Sequence, residues 1–197
     1  MNFENQTDTF TVQVTHVYPY DALVEYLESD GSGSYINLGI KPQANEIVKI
    51  RFQYTANNQG SIFGSRTSSI SGKCVIGKGS TNYIYAALGS QSNTNLILFD
   101  TNEHEIVLDT GNGTASVDGG NAISVGTFVE NNLDMGLFVF NNGGTWNAIA
   151  HVRIMSLVVG TRMDLKPCRK NGVGYMYDAV TDSLLTNNGT FAYGNDV

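Results

Sequence analysis

The sequence predicts an all-β fold, an antiparallel β-sandwich with little helix, and three observations carry that prediction. Apolar and polar residues alternate with period two over most of the chain, as they do where a strand buries one face. Gly, Asn or Asp interrupts those runs every 8 to 15 residues, the spacing of tight turns between short strands. Composition agrees: 22 Gly against 3 Pro, with 41% apolar and only 15% charged residues, suits many short strands and does not suit a disordered chain. At 197 residues the length fits one sandwich with one core, residues 1–197, in which 1–20 form an added edge strand or an attachment segment.

The elements follow in chain order. TFTVQVTHVY sets Phe10, Val12 and Val14 against Thr11, Gln13 and Thr15, a half-buried strand. DALVEYLES is the one stretch that also reads as a helix, through Leu23, Tyr26 and Leu27. EIVKIRFQY is the clearest strand, with Val48, Ile50, Phe52 and Tyr54 inward and Lys49, Arg51 and Gln53 outward. In TANNQGSIFGSRTSSISG, polar and rich in Gly and Ser, Ile62, Phe63 and Ile70 mark short strands with wide loops. NYIYAAL, NLILFD, EIVLD, LDMGLFVFN and HVRIMSLVV are further apolar or alternating runs fenced by turn residues. The expected core includes Val48, Ile50, Phe52, Leu98, Val107, Phe138, Ile154 and Leu157.

Charge and cysteine content limit the function classes. A net charge of −7 opposes a nucleic-acid partner, which needs a basic face to neutralise phosphates. Cys74 and Cys168 lie far apart with no histidine at metal spacing, and are expected as two buried free thiols. The first residues show no basic stretch followed by an apolar run, and no segment has the apolar length of a membrane span. The triplets at Asn5, Asn112 and Asn188 match the glycan-acceptor pattern, an accidental match in so Asn-rich a chain.

The glycines of NGVGYMYD meet neither the P-loop nor the dinucleotide pattern, because a strand, Val173, Tyr175 and Tyr177, follows them instead of a helix. Asn171-Gly172 is instead a two-residue hairpin turn, and Asp118-Gly119 a second. Asp109, Asn112 and Asp118 offer oxygen ligands for calcium, but this run lacks the spaced ladder of a dedicated loop. No metal or other cofactor is expected. Catalysis by paired carboxylates needs two acids facing one cleft. Glu103 and Glu105 have the spacing but sit at a strand entrance, and Glu130 and Asp134 flank a turn. His16, His104 and His151 are scattered singly. A non-enzymatic role is expected.

Aromatic residues give the best binding candidate. The single Trp lies in NNGGTWNA, where Trp146 has Asn141, Asn142, Thr145 and Asn147 around it. A ring presented by such a loop stacks on the apolar face of a pyranose while amides and hydroxyls bond the sugar. The competing reading makes Trp146 a cap on the end of the sandwich. In that case Tyr83 and Tyr85 take its place as binding residues on a concave sheet.

From about residue 26 the chain resembles the concanavalin A-like, laminin-G-like jelly-roll domains of bacterial surface proteins and bacteriophage structural proteins. The likeness is carried by EYLESDGSGSYINLGIKP, IFGSRT, VDGG and HVRIMSLVV. The ending LKPCRKNGVGYMYDAVTDSLLTNNGTFAYG is similar to the family's closing hairpins. The resemblance implies two packed antiparallel sheets. It also implies a non-catalytic carbohydrate-binding or adhesion module whose partner is a glycan or cell-surface group, on a virion or bacterial surface. A purely structural assembly protein that self-associates through its N-terminal strand and a sheet edge is the alternative. A glycoside hydrolase of the same fold is the third reading.

Overall fold

The computed structural model describes residues 16–68 and 71–197 and is built of strands; among the described residues no helix forms. The segment with Phe10, Val12 and Val14, the Asn5 triplet and Ile70 lie outside the described residues. The first strands are β1 (Ala22–Leu23), β2 (Leu27–Asp30), β3 (Tyr35–Asn37), β4 (Ile47–Tyr54), β5 (Gly60–Arg66), β6 (Lys73–Lys78) and β7 (Tyr83–Gly89). The middle of the chain gives β8 (Thr94–Leu98), β9 (Glu103–Asp109), β10 (Thr114–Val117), β11 (Ile123–Ser124), β12 (Gly136–Leu137), β13 (Phe140–Asn142) and β14 (Thr145–Asn147). The rest supplies β15 (His151–Val159), β16 (Met163–Lys170), β17 (Val173–Asp178), β18 (Ser183–Leu184), β19 (Asn187–Asn188) and β20 (Ala192–Tyr193). DALVEYLES is therefore strand and bend, not helix: Leu23 pairs with Cys168 and Leu27 with Ile154.

Two sheets pack face to face as a β-sandwich. The first has the order β11-β10-β9-β4-β15-β16-β17-β18, with β1 on β16, β2 on β15 and β20 on β2. The second runs β19-β3-β12-β5-β6-β7-β8, with β13 on β5 and β14 on β13. Strand pairing is antiparallel except between β13 and β5. β15 and β16 pair only from Leu157 to Val159 and then part, and β2 and β1 fill the opening between them.

The core fills the space between the sheets, and the alternation of β4 shows how sequence sets it. Val48, Ile50, Phe52 and Tyr54 are buried while Lys49 and Arg51 are exposed. Phe138, Ile154 and Leu157 join the same core. Two expected core residues do not. Val107 faces outward because β9 pairs with β4 so that Ile106 lies opposite Ile50 and Leu108 opposite Val48. The apolar triplet Ile106-Val107-Leu108 carries no phase of its own, and a slip of one residue exchanges the faces. Leu98, 57% exposed, sits on the edge strand β8 opposite half-exposed Tyr83, after Ile97 has taken the inward position opposite Ile84. Cys74 and Cys168 are both buried free thiols, and burial pushes each up to about 12. No helix among the described residues is long and apolar enough to cross a membrane.

Candidate functional site

After β12 the chain stays with the second sheet and runs along β5: Asn141 and Asn142 pair in parallel with Ser65 and Arg66, and Ile149 bridges Ser61, while Met135, Leu137, Phe138 and Ala150 belong to the core. Glycines make the close approaches of residues 126–150 to that sheet feasible. A Cβ on Gly89 would lie 2.1 Å from the Thr127 carbonyl oxygen, and one on Gly60 would lie 2.6 Å from Ala150 Cα. Phe140 of β13 then covers Val75, Tyr85 and Ala87, the outward residues of β6 and β7, with the Arg66 guanidinium 4.4 Å from its ring centroid.

The β13–β14 hairpin in this stretch positions Trp146. Asn141 lies opposite Trp146 and Asn142 opposite Thr145, joined by Gly143 and Gly144, both at positive φ. Asn141 is buried: its Oδ1 accepts from the Gly144 amide at 2.8 Å and its Nδ2 donates to the Asp134 carbonyl at 3.1 Å. Asn142 Oδ1 accepts from Arg66 Nε at 2.9 Å. These two side chains hold the hairpin in place. Thr145 is exposed, and Trp146 and Asn147 are half-buried. Asn147 Nδ2 donates to the Thr145 carbonyl at 3.3 Å.

The indole lies against β3 and β12. Ile36 and Leu137 point into the core, so Tyr35, Asn37 and Gly136 face outward on the same strands. The Tyr35 and Trp146 rings lie 5.2 Å apart, tilted by 33°, in direct aromatic contact. Gly136 makes room for the indole, since a Cβ there would meet the Trp146 ring at 2.9 Å and Val139 at 2.5 Å. The result is a two-ring platform whose rim carries the exposed polar side chains of Asn37, Thr145 and Asn188, with Asn188 opposite Tyr35. Asp134 Oδ2 faces Asn37 Nδ2 at 3.5 Å on the same rim.

The remaining candidates are placed elsewhere. Tyr85 is 8% exposed beneath Phe140 and presents no ring face, which corrects its assignment as a binding residue. Tyr83 is half-exposed beside Leu98 at the β8 edge. Asp109 does not reach toward a cation: its Oδ1 accepts from the Gly111 and Asn112 amides at 2.9 Å, and its Oδ2 from Asn112 Nδ2 at 2.7 Å. Asp118 accepts from the Glu105 amide and from His104. Among the described residues no group of three His, Cys, Asp or Glu is arranged to hold a metal. Glu103 is ion-paired with Arg51. His16 faces Asp182 at 3.3 Å, His104 lies between Asp100 and Asp118, and His151 packs against Gly31, so the three do not converge.

A hollow of about 530 Å³ opens on the other sheet where β15 and β16 part. Its cations are already matched, Arg51 by Glu103, Arg153 by Glu28 at 2.8 Å and Lys166 by Asp164 at 3.6 Å, with Arg153 lying 4.3 Å over the Tyr26 ring. Sequence reasoning named Trp146 but neither Gly136 nor Tyr35, the latter brought to it by the pairing of β3 with β12. The signal for Tyr35 was present in SYIN: with Ile36 in the core, its neighbour must face outward. Compared with models of known protein families and with curated proteins, the chain matches none.

Proposed function

We propose that this protein is a non-catalytic carbohydrate-binding or adhesion module of the concanavalin A-like, laminin-G-like kind, serving on a virion or a bacterial surface. The observation that carries this reading is the Trp146–Tyr35 pair, half-exposed on the outer face of a sheet. Two adjacent rings present an apolar surface to the C–H face of a pyranose, and the amides, hydroxyl and carboxylate on the rim match its hydroxyls. Of the acids a hydrolase would use, Glu103 is ion-paired with Arg51, which supports binding without turnover.

The test is Trp146→Ala screened on a glycan array and then titrated against the glycan that the unmodified protein selects. Removing a central binding ring costs about 2 kcal/mol, or roughly thirtyfold in affinity. A folded protein that binds no glycan, or a variant with unchanged affinity, refutes the proposal.

The second reading, a structural assembly protein, is favoured by one feature: the edge strand β8 exposes Leu98 beside Tyr83. In that case deletion of residues 1–20 abolishes self-association while folding is retained. Unchanged mass in solution counts against it.

A further inference from the structure

Tyr177 points out of the first sheet, because its neighbour Met176 is in the core, yet it is only 6% exposed. Its cover comes from the chain before β1. Tyr20 meets it edge-on at 4.8 Å, Tyr18 stands perpendicular to it at 6.2 Å, and Tyr18 and Tyr20 stack on each other at 5.2 Å. Were this cluster only a clasp for the chain, its rings would be consumed by packing. Tyr18 is instead 52% exposed, and beside the rings lies a hollow of about 490 Å³. Its rim is polar. Lys166 stands opposite Tyr177 on β16, and Asp182 accepts from the Tyr177 hydroxyl at 2.9 Å through one oxygen while the other faces His16.

We propose that this tyrosine-lined hollow is a second saccharide site, which takes a neutral pyranose stacked on Tyr18 and hydrogen-bonded by Asp182 and Lys166. The size is that of a small-ligand pocket, and a half-exposed ring, stacked on Tyr20 and met edge-on by His16 at 4.4 Å, with an acceptor and a donor on the rim, is what a polyol requires. Two rival ligands fit less well. A quaternary ammonium needs a gap between rings, and these rings, at 4.8 to 6.2 Å, already touch one another. An acidic sugar would meet the Asp182 carboxylate. Burial above all raises Tyr20, and burial together with the hydrogen bond to Asp182 pushes Tyr177 up to about 12.

The hollow lies on the outer face of the first sheet, and the Trp146–Tyr35 platform on the outer face of the second. Sheets in a sandwich pack about 10 Å apart, so the two ligands sit on opposite sides of the protein. One molecule then bridges two glycan chains, and clustered copies gain avidity. This bridging rests on the reading of Trp146 as a sugar platform; the tyrosine site does not.

Saturation-transfer NMR on the full chain with the methyl pyranosides of glucose, galactose, mannose and N-acetylglucosamine tests the proposal. At least one probe is expected to bind the Trp146→Ala variant, and that binding is expected to weaken roughly tenfold on adding Asp182→Asn, which keeps every ring and an acceptor for Tyr177. Tyr18→Ala in the same background is expected to abolish it. If Trp146→Ala binds none of the probes, or if Asp182→Asn and Tyr18→Ala leave its binding unchanged, the tyrosines are a clasp and the proposal is overturned. If instead Trp146→Ala binds as the unmodified protein does and Tyr18→Ala removes all binding, the tyrosine site stands and the Trp146 reading fails.

Discussion

Replacing His104 with Ala perturbs the end of the sandwich in a way that depends on pH. The ring is 7% exposed and joins two turns, with Nδ1 2.7 Å from Asp118 Oδ2 and Nε2 3.0 Å from Asp100 Oδ1, beside Phe52. Charge-assisted hydrogen bonds contribute about 1.5–3 kcal/mol when buried. Both carboxylates are close to half exposed, so solvent screening reduces each to about 1 kcal/mol. With the lost burial of the ring the variant is destabilised by about 3 kcal/mol, or about 6–12 °C in melting temperature for a protein of this length.

Burial opposes the charged form of His104, but the hydrogen bonds and charges of Asp118 and Asp100 outweigh it and raise its pKa. A raised folded-state pKa makes the contribution complete below the unfolded value of about 6.5, and it is lost as pH rises through the folded value. The carboxylates act in the opposite sense. Asp100 is lowered by the Asn102 amide and by His104. Asp118 is raised by burial but lowered on balance by the Glu105 amide and His104. Their contribution is complete above about pH 3.9 and lost as pH falls through the folded values. Thermal melts of both proteins across pH 4 to 9 therefore show the largest gap in melting temperature in weak acid, shrinking toward alkaline pH. A gap that is constant, or largest in alkali, refutes the reasoning.

Two further substitutions test the packing. Gly64 on β5 has φ 124°, and a Cβ there would lie 1.9 Å from the Cys74 carbonyl oxygen; Gly64→Ala is expected to cost about 3 kcal/mol or more, read as a collapsed yield or a large drop in melting temperature. Arg162 holds the 7% exposed Glu46 through Nε at 2.7 Å and a second nitrogen at 2.6 Å. Arg162→Ala strands that carboxylate and is expected to cost about 3 kcal/mol by chemical denaturation, with Arg162→Lys restoring only part because one ammonium cannot reproduce the fork.

The all-β class and the alternation of β4 were legible in the sequence, because a strand that buries one face writes its phase in every second residue. EIVLD did not disclose its phase, since three adjacent apolar residues fit either face and only pairing with β4 chose between them. The same limit applied to Leu98 at the bulged edge of the second sheet. DALVEYLES had helical spacing through Leu23, Tyr26 and Leu27, but its backbone hydrogen bonds are made to β16 and β15. Trp146 was named from its place in NNGGTWNA, which read as a loop and is the β13–β14 hairpin. Its partner was not visible: Tyr35 is 111 positions earlier and meets Trp146 only after β3 and β12 have paired. Tyr85 read as a surface tyrosine because nothing local shows that Phe140 returns to cover it.

Trp146 is the only tryptophan, so its fluorescence reports the proposed platform without any substitution. Titrating the unmodified protein with the glycan selected on the array, in the presence and absence of iodide, is the most direct test of the central claim. A half-exposed indole beside Tyr35 is expected to be quenched by iodide, and the bound sugar is expected to shield it and shift its emission in a saturable way that matches the binding curve. An emission that iodide does not reach and that saturating glycan leaves unchanged contradicts the account and makes Trp146 a structural cap.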